Sequence, residues 1–157
     1  MKIWDSLIGK IIMTFLISMV PVVELRGAIP IGVAHGLNFW VAIVVSIVGN
    51  LVPVPFIIIF IRKIFAWLRT KSAWLNNLVT RLENRALKKT DTVRKFKFWG
   101  LFIFVAIPLP GTGAWTGALV AAMMEIRLKR AFPAIAIGVA IACVIVSVIT
   151  YGAQAIF

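Results

Sequence analysis

Glu24 and Arg26 stand two residues apart in Val22-Val23-Glu24-Leu25-Arg26-Gly27-Ala28-Ile29-Pro30, an acid and a base inside an otherwise apolar run. Residues 11–23 before them and 27–34 after them carry no charge. A close acid–base pair near the middle of a membrane-length apolar segment is expensive, so its presence points to a use. Arg26 offers a planar fork to a phosphate or carboxylate, and Glu24 can take up and release a proton. Desolvation opposes the charged form of a carboxylate and a nearby cation favours it, a balance that permits exchange near neutral pH. The competing reading is an ion pair that only ties the loop together. Pro21, Gly27, Pro30 and Gly32 break a helix or permit unusual backbone, so the pair sits on a stretch that is not simple helix. Glu24, Arg26, Gly27 and Pro30 are therefore the first candidates for binding substrate and protons.

A second constellation is Pro108-Leu109-Pro110-Gly111-Thr112-Gly113. Pro108 and Pro110 lack amide donors, whereas Gly111 and Gly113 allow close backbone approach. Amides around residues 111–116, with the Thr112 and Thr116 hydroxyls, suit an anion at a half-helix N-terminus. The plain alternative is a tight helical turn whose glycines only permit packing. Asn50, beside Gly49 and close to Pro53 and Pro55, either lines a cavity or hydrogen-bonds between helices. Ala42, Ser46 and Asn50, and Ala134, Gly138 and Ala142, repeat small residues every four positions and read as close helix packing. His35 reads as interfacial, and Trp4, Trp40 and Trp99 as anchors at membrane edges. There is no nucleophile–base–acid set, no phosphate-binding glycine pattern and no His/Cys cluster, so neither an enzyme nor a metal or cofactor is expected. Cys143 is alone in an apolar run, which rules out an intramolecular disulfide.

The elements that must position these residues are set by composition. The chain is 62% hydrophobic, with a mean hydropathy of +1.04, more than a soluble domain of 157 residues needs. The formal net charge is +12, and residues 62–97 hold eleven of the seventeen basic residues against Glu83 and Asp91. Because that cluster lies between apolar spans, the positive-inside rule accounts for it and nucleic acid is not expected as a partner. The N-terminus, with Lys2 and Lys10, imitates a signal peptide only faintly. It lacks a small-residue cleavage site and reads as retained.

Residues 39–61 and 132–153 carry no charge, and each exceeds the ~20 residues a spanning helix requires. Residues 11–34 and 98–124 are interrupted near their centres. In the second, the arms 98–107 and 114–124 are each about half a ~30 Å hydrocarbon core in length. Both of its ends are basic (Arg94, Lys95 and Lys97 before, Arg127, Lys129 and Arg130 after), as in a hairpin that dips in and returns. Residues 11–34 read the same way, with a kinked full span as the alternative. Residues 64–87 alternate with helical period: Ile64, Trp67, Leu68, Trp74, Leu75, Leu78, Val79 and Leu82 form one stripe. That stripe predicts one basic helix lying in the interface or packed under the bundle. The expected fold is an all-α integral membrane protein in one domain, with repeat 1 at about 8–61, an amphipathic connector at 62–97 and repeat 2 at about 98–157. Each repeat is a broken re-entrant hairpin followed by a transmembrane helix, and the two are inverted.

Glu24-Leu25-Arg26-Gly27-Ala28-Ile29-Pro30 and Pro108-Leu109-Pro110-Gly111-Thr112-Gly113-Ala114-Trp115-Thr116-Gly117 resemble the small multidrug export protein family, a remote relative of the DedA membrane proteins. The likeness covers nearly the whole chain. It implies a multi-pass protein of a bacterial or archaeal inner membrane, opposed re-entrant hairpins and proton-coupled transport. DedA relatives are associated with moving polyprenyl-phosphate carriers or phospholipids between leaflets, and Glu24 is similar in position to their first-hairpin acid. Here the positive partner, Arg26, is in that same hairpin and the second hairpin carries no charge. The expected function is secondary, proton-coupled transport of an amphiphilic anionic substrate such as a lipid-linked phosphate. Its rivals are proton-driven export of small lipophilic drugs and a non-transporting scaffold that uses the basic helix. Expected partners are membrane lipids, the substrate, protons and a second copy, since two spans enclose little on their own.

Overall fold

Prolines and turn-forming residues decide where the apolar stretches can be continuous helix. In the computed structural model, which describes residues 5–88, 98–109 and 111–152, every regular element is helical. Helix α1 (Leu7–Met19) opens at Ser6, whose hydroxyl accepts from the Gly9 amide at 3.0 Å and so satisfies one free donor of the first turn. It ends before Pro21. Val20 is extended, and Val22 lies at φ +81, a left-handed conformation that β-branched residues avoid. Helix α2 (Glu24–Ala34) then doubles back along α1. A Cβ on Gly32 would lie 2.7 Å from Thr14 Oγ1, and one on Gly36 would lie 3.2 Å from Lys10 Nζ. The start of α1 and the end of α2 are therefore at the same end, which excludes the kinked full span.

Helix α3 (Phe39–Leu51) begins at Asn38, whose side chain accepts from the Trp40 amide. It passes through Val52, itself in helical backbone, into α4 (Pro53–Arg69). The combined stretch Phe39–Arg69 has 31 residues, roughly 46 Å at 1.5 Å per residue, longer than a ~30 Å hydrocarbon core. The expected stop at Ile61 is thus corrected. Arg and Lys are good helix formers, and their charge ends the membrane segment without ending the helix.

The predicted single helix over 64–87 is also corrected. The chain turns at residues 70–72, where the Thr70 hydroxyl donates to the Trp67 carbonyl (2.7 Å) and Ser72 Oγ accepts from the Trp74 amide. Ile64, Trp67 and Leu68 belong to α4, and the rest of the stripe to α5 (Ala73–Lys88). Helix α5 packs on α4 through buried Val79, while Trp74 and Leu78 face outward. Arg69 holds the two helices together by pairing with Glu83 and donating to Asn76. Residues 89–97, with Arg94, Lys95 and Lys97, lie outside the described residues, as do Trp4 and Pro110.

The remaining helices are α6 (Phe98–Ala106), α7 (Ala114–Met123) and α8 (Leu128–Ser147), the last continuing into a π-turn at Val148–Gly152. The Phe39 and Tyr151 rings meet edge-on at 4.9 Å, and Arg62 pairs with Glu125 at 2.8 Å. These contacts set α3–α4 antiparallel to α8. Close approach is allowed by glycine in both halves. A Cβ on Gly49 of α3 would fall 2.7 Å from the Phe15 carbonyl of α1, and one on Gly138 of α8 would fall 2.8 Å from Val105 Cβ of α6.

The outer surface is apolar: Val44, Val48, Phe56, Phe60, Ile137 and Val144 are all exposed. Only 33% and 39% of the most apolar windows of the two long helices are buried within the chain. An apolar face of that extent belongs against hydrocarbon rather than water. Helices α1, α2, α6 and α7 are each only about 14–20 Å long, too short to cross alone.

Candidate functional site

The two breaks, at 20–23 and 107–113, meet. Glu24 is 4% exposed, and its Oε1 accepts from the Trp115 amide at 3.2 Å. Trp115 is in the first turn of α7, whose N-cap residue, Gly113, has no side chain to cap with. A carboxylate from 91 residues away therefore serves as that cap, at the positive end of the helix dipole. Gly113 makes this possible twice over: its φ of +131 favours glycine, and a Cβ there would sit 2.7 Å from Glu24 Cδ. The Trp115 indole donates to the Met19 carbonyl at 2.9 Å, closing the free C-terminal end of α1.

Arg26 performs the opposite task. Its Nη1 donates to the Leu109 carbonyl, and its Nη2 to the Thr112 carbonyl and hydroxyl, both at 3.1 Å. The Thr112 hydroxyl folds the loop on itself, since it accepts from the Leu109 amide at 3.1 Å and reaches the Ile107 and Leu109 carbonyls at 2.7 and 2.8 Å. Glu24 and Arg26 do not pair with each other, so the competing reading of an ion pair that ties its own loop together is not met. Positions i and i+2 on a helix do not face one another, and each residue is drawn instead to a backbone terminus of opposite polarity on the other hairpin.

Glu24, Leu25, Arg26 and Asn50 line one crevice with Val105, Gly113, Ala114, Val139 and Ala142, and it is too narrow to hold a water molecule. Asn50 is 1% exposed, and neither its oxygen nor its nitrogen has a hydrogen-bond partner. The expectation of a helix-to-helix hydrogen bond from Asn50 is not met. Arg26 Nε is likewise buried without a partner. Gly27, Pro30 and Thr116 are half-buried outside this lining. Pro108 is half-buried and Gly111 exposed at φ +79 in the second break. The N-terminal site on α7, read from the sequence as an anion cradle, is filled by the protein's own Glu24 carboxylate. Trp115, Met19 and Leu109 were not among the candidates. Trp115 stands inside the quoted motif, but contacts made through main-chain groups leave no mark on residue type. Among the described residues no group of His, Cys, Asp or Glu is placed to hold a metal ion.

Antiparallel helices whose apolar faces are largely exposed define a helical membrane protein. Its sequence matches the profile of the family described as "Putative small multi-drug export protein" over residues 24–145, and the chain belongs to that family. The match begins at Glu24, directly after the first break, and spans the second. No curated protein and no solved structure matches the chain.

Proposed function

We propose that the protein is a secondary, proton-coupled exporter of small amphiphilic compounds, with Glu24 as the proton-carrying group. The observation that carries this reading is a buried carboxylate whose hydrogen bond holds two hairpin tips together. Protonation replaces an acceptor-only anion with a group that also donates, and weakens its attraction to the α7 dipole. The Trp115 cap then loosens, and the tips can turn about the Arg26 contacts to admit the substrate.

In this reading α1–α2 and α6–α7 are re-entrant hairpins from opposite faces, and the halves form an inverted repeat. Support comes from the paired glycine contacts, since Gly32 and Gly49 clasp α1 much as Gly117 and Gly138 clasp α6. The basic ends at Arg62, Arg69 and Arg127 face the cytoplasm of a bacterial or archaeal inner membrane. Alternating access by rocking of such repeats around a midplane site is an established plan for secondary transporters.

The family description favours lipophilic drugs as substrate. A second reading, an anionic amphiphile such as a lipid-linked phosphate, is favoured by the unpartnered Arg26 Nε, a donor available once the carbonyls of the second break are released. Proteoliposomes with an imposed proton gradient test both, using a lipophilic cationic dye and a fluorescent short-chain polyprenyl phosphate. Gradient-driven movement lost in Glu24→Gln supports the exporter. If Arg26→Ala stops the phosphate and spares the dye, the substrate is anionic; if only the dye is moved by wild type, it is the drug. Movement of neither by wild type sinks transport and leaves a scaffold acting through α5.

A further inference from the structure

The polar groups buried beside the site are not spread evenly. Thr14 and Ser18 on α1 and Ser46 on α3 are 0% exposed; Thr14 lies against Gly32 of α2 and Ser18 against Gly49 of α3, so these groups sit where α1 packs on α2 and α3. Both helices start at the same end of the molecule. Thr14 and Ser46 are each seven residues in, about 10 Å deep, and Ser18 and Asn50 each eleven residues in, about 16 Å deep. Gly49, pressed by Ser18 and Phe15, fixes that register. Two rungs of polar side chains therefore descend from the end marked by Lys10 and Gly36 to Asn50, which shares its crevice with Glu24 and Arg26.

Ser18 donates to the Phe15 carbonyl at 2.7 Å, but Thr14 Oγ1, Ser46 Oγ and both polar atoms of Asn50 have no partner. Native interiors seldom leave four such atoms unsatisfied along one line. The matching contact in the other half is dry: Leu101 and Val105 of α6 meet Ile135 and Val139 of α8, all fully buried and apolar. Opening the packing of α1 on α2 and α3 to water would satisfy these unpartnered groups, whereas opening α6–α8 would wet only hydrocarbon. Helix α1 packs on α2 and α3 on one side, while Leu7, Ile8, Ile12 and Leu16 face outward.

We propose that the seam where α1 packs on α2 and α3 is a water path, closed in this structure at Gly49 and Ser18, through which Glu24 exchanges protons with the membrane face opposite the basic ends of α4 and α8. The inference rests on the reading of Glu24 as proton carrier and adds the side of access. It is tested without transport, by single-cysteine variants in a Cys143→Ala background in oriented vesicles. A membrane-impermeant methanethiosulfonate is applied from the face where α1 and α3 begin.

Thr14→Cys and Ser46→Cys are expected to react at least about tenfold faster than Ala134→Cys, a buried site in the dry half, because a thiol in apolar surroundings forms little thiolate. Ala42→Cys, one turn nearer the surface on α3, replaces either variant that fails to insert. Rates equal to that of Ala134→Cys, or reaction only from the opposite face, overturn the proposal. Unreactive cysteines with transport still lost in Glu24→Gln refute the path and keep the carrier. Reactive cysteines with transport unaffected by Glu24→Gln do the reverse.

Discussion

Replacing Gly113 with alanine isolates the contact on which the site depends. Two separable penalties follow. The first is local: alanine at φ +131 occupies a sparsely populated conformation, at roughly 1–3 kcal/mol. The second is long-range: the new methyl would stand 2.7 Å from Glu24 Cδ and 2.7 Å from its Oε1, so the carboxylate must leave the Trp115 amide. A hydrogen bond to a charged group contributes about 1.5–3 kcal/mol, so Gly113→Ala is expected to lose about 2.5–6 kcal/mol in all.

A double-mutant cycle with Glu24→Ala separates the two. In the Glu24→Ala background the carboxylate is gone, the collision is relieved, and only the backbone strain remains. The coupling energy is then about 1.5–3 kcal/mol, read from denaturant unfolding of the four proteins in mixed micelles by Trp fluorescence. Independent sites add to within about 0.5 kcal/mol. Additivity at that level would show that Gly113 and Glu24 are not in contact, and the account of the capped α7 would be wrong.

Arg26→Lys keeps the charge but cannot span Leu109 and Thr112. The loss of one charge-assisted bond should lower the thermal midpoint by roughly 3–12 °C for a chain of this size, measured by scanning fluorimetry in detergent. Gly138→Ala places a methyl 2.8 Å from Val105 Cβ and is expected to cost about 1–3 kcal/mol through overpacking. In a Val105→Gly background, which lacks that Cβ, the same substitution should cost less, and an unchanged cost would put the clash elsewhere. Arg62→Ala removes an ion pair whose side chains are 55% and 67% exposed, so unfolding should change by less than about 1 kcal/mol, and less still in high salt.

The sequence carried the helices better than the site. Charge-free runs located both long helices, and Pro21 and the run 108–113 located both breaks, because hydrocarbon imposes length and proline removes amide donors. Gly27, Pro30 and Gly32, read as interruptions, lie inside α2 instead, where Pro30 is carried within the helix. Residues 64–87 misled because periodicity is blind to a three-residue turn: the stripe from Ile64 through Leu82 runs on across residues 70–72, where the local hydrogen bonds of Thr70 and Ser72 end one helix and start another. Asn50 was legible as a polar residue in a span, but whether it found a partner depended on Ser46 and Thr14 having none either, a property of packing across two helices. The Trp115 amide and the Leu109 carbonyl were illegible because every residue type but proline supplies the first and all supply the second.

The spacing of Glu24 and Arg26 explains why one short motif can hold two hairpins. Had they stood four apart, they would have paired along the helix face and neutralised each other. Two apart, they diverge, and each must find its counter-charge elsewhere. The apolar surroundings provide only the partial charges of broken helices, amides at the start of α7 and carbonyls in the loop after α6. Both lie on the second hairpin, because its interruption exposes a donor end and an acceptor end side by side. The acid and the base thus read the two polarities of one break. Changing the charge of either releases one polarity and leaves the other bound, so protonation of Glu24 would turn the hairpins about the Arg26 contacts rather than separate them. Cross-linking residues 23 and 115, and separately 27 and 109, with Arg26 and Thr112 left intact, at low and high pH tests this: the first pair should lose yield on acidification while the second holds. Loss at both pairs would mean the tips part as a whole, and a pivot at Arg26 would be refuted.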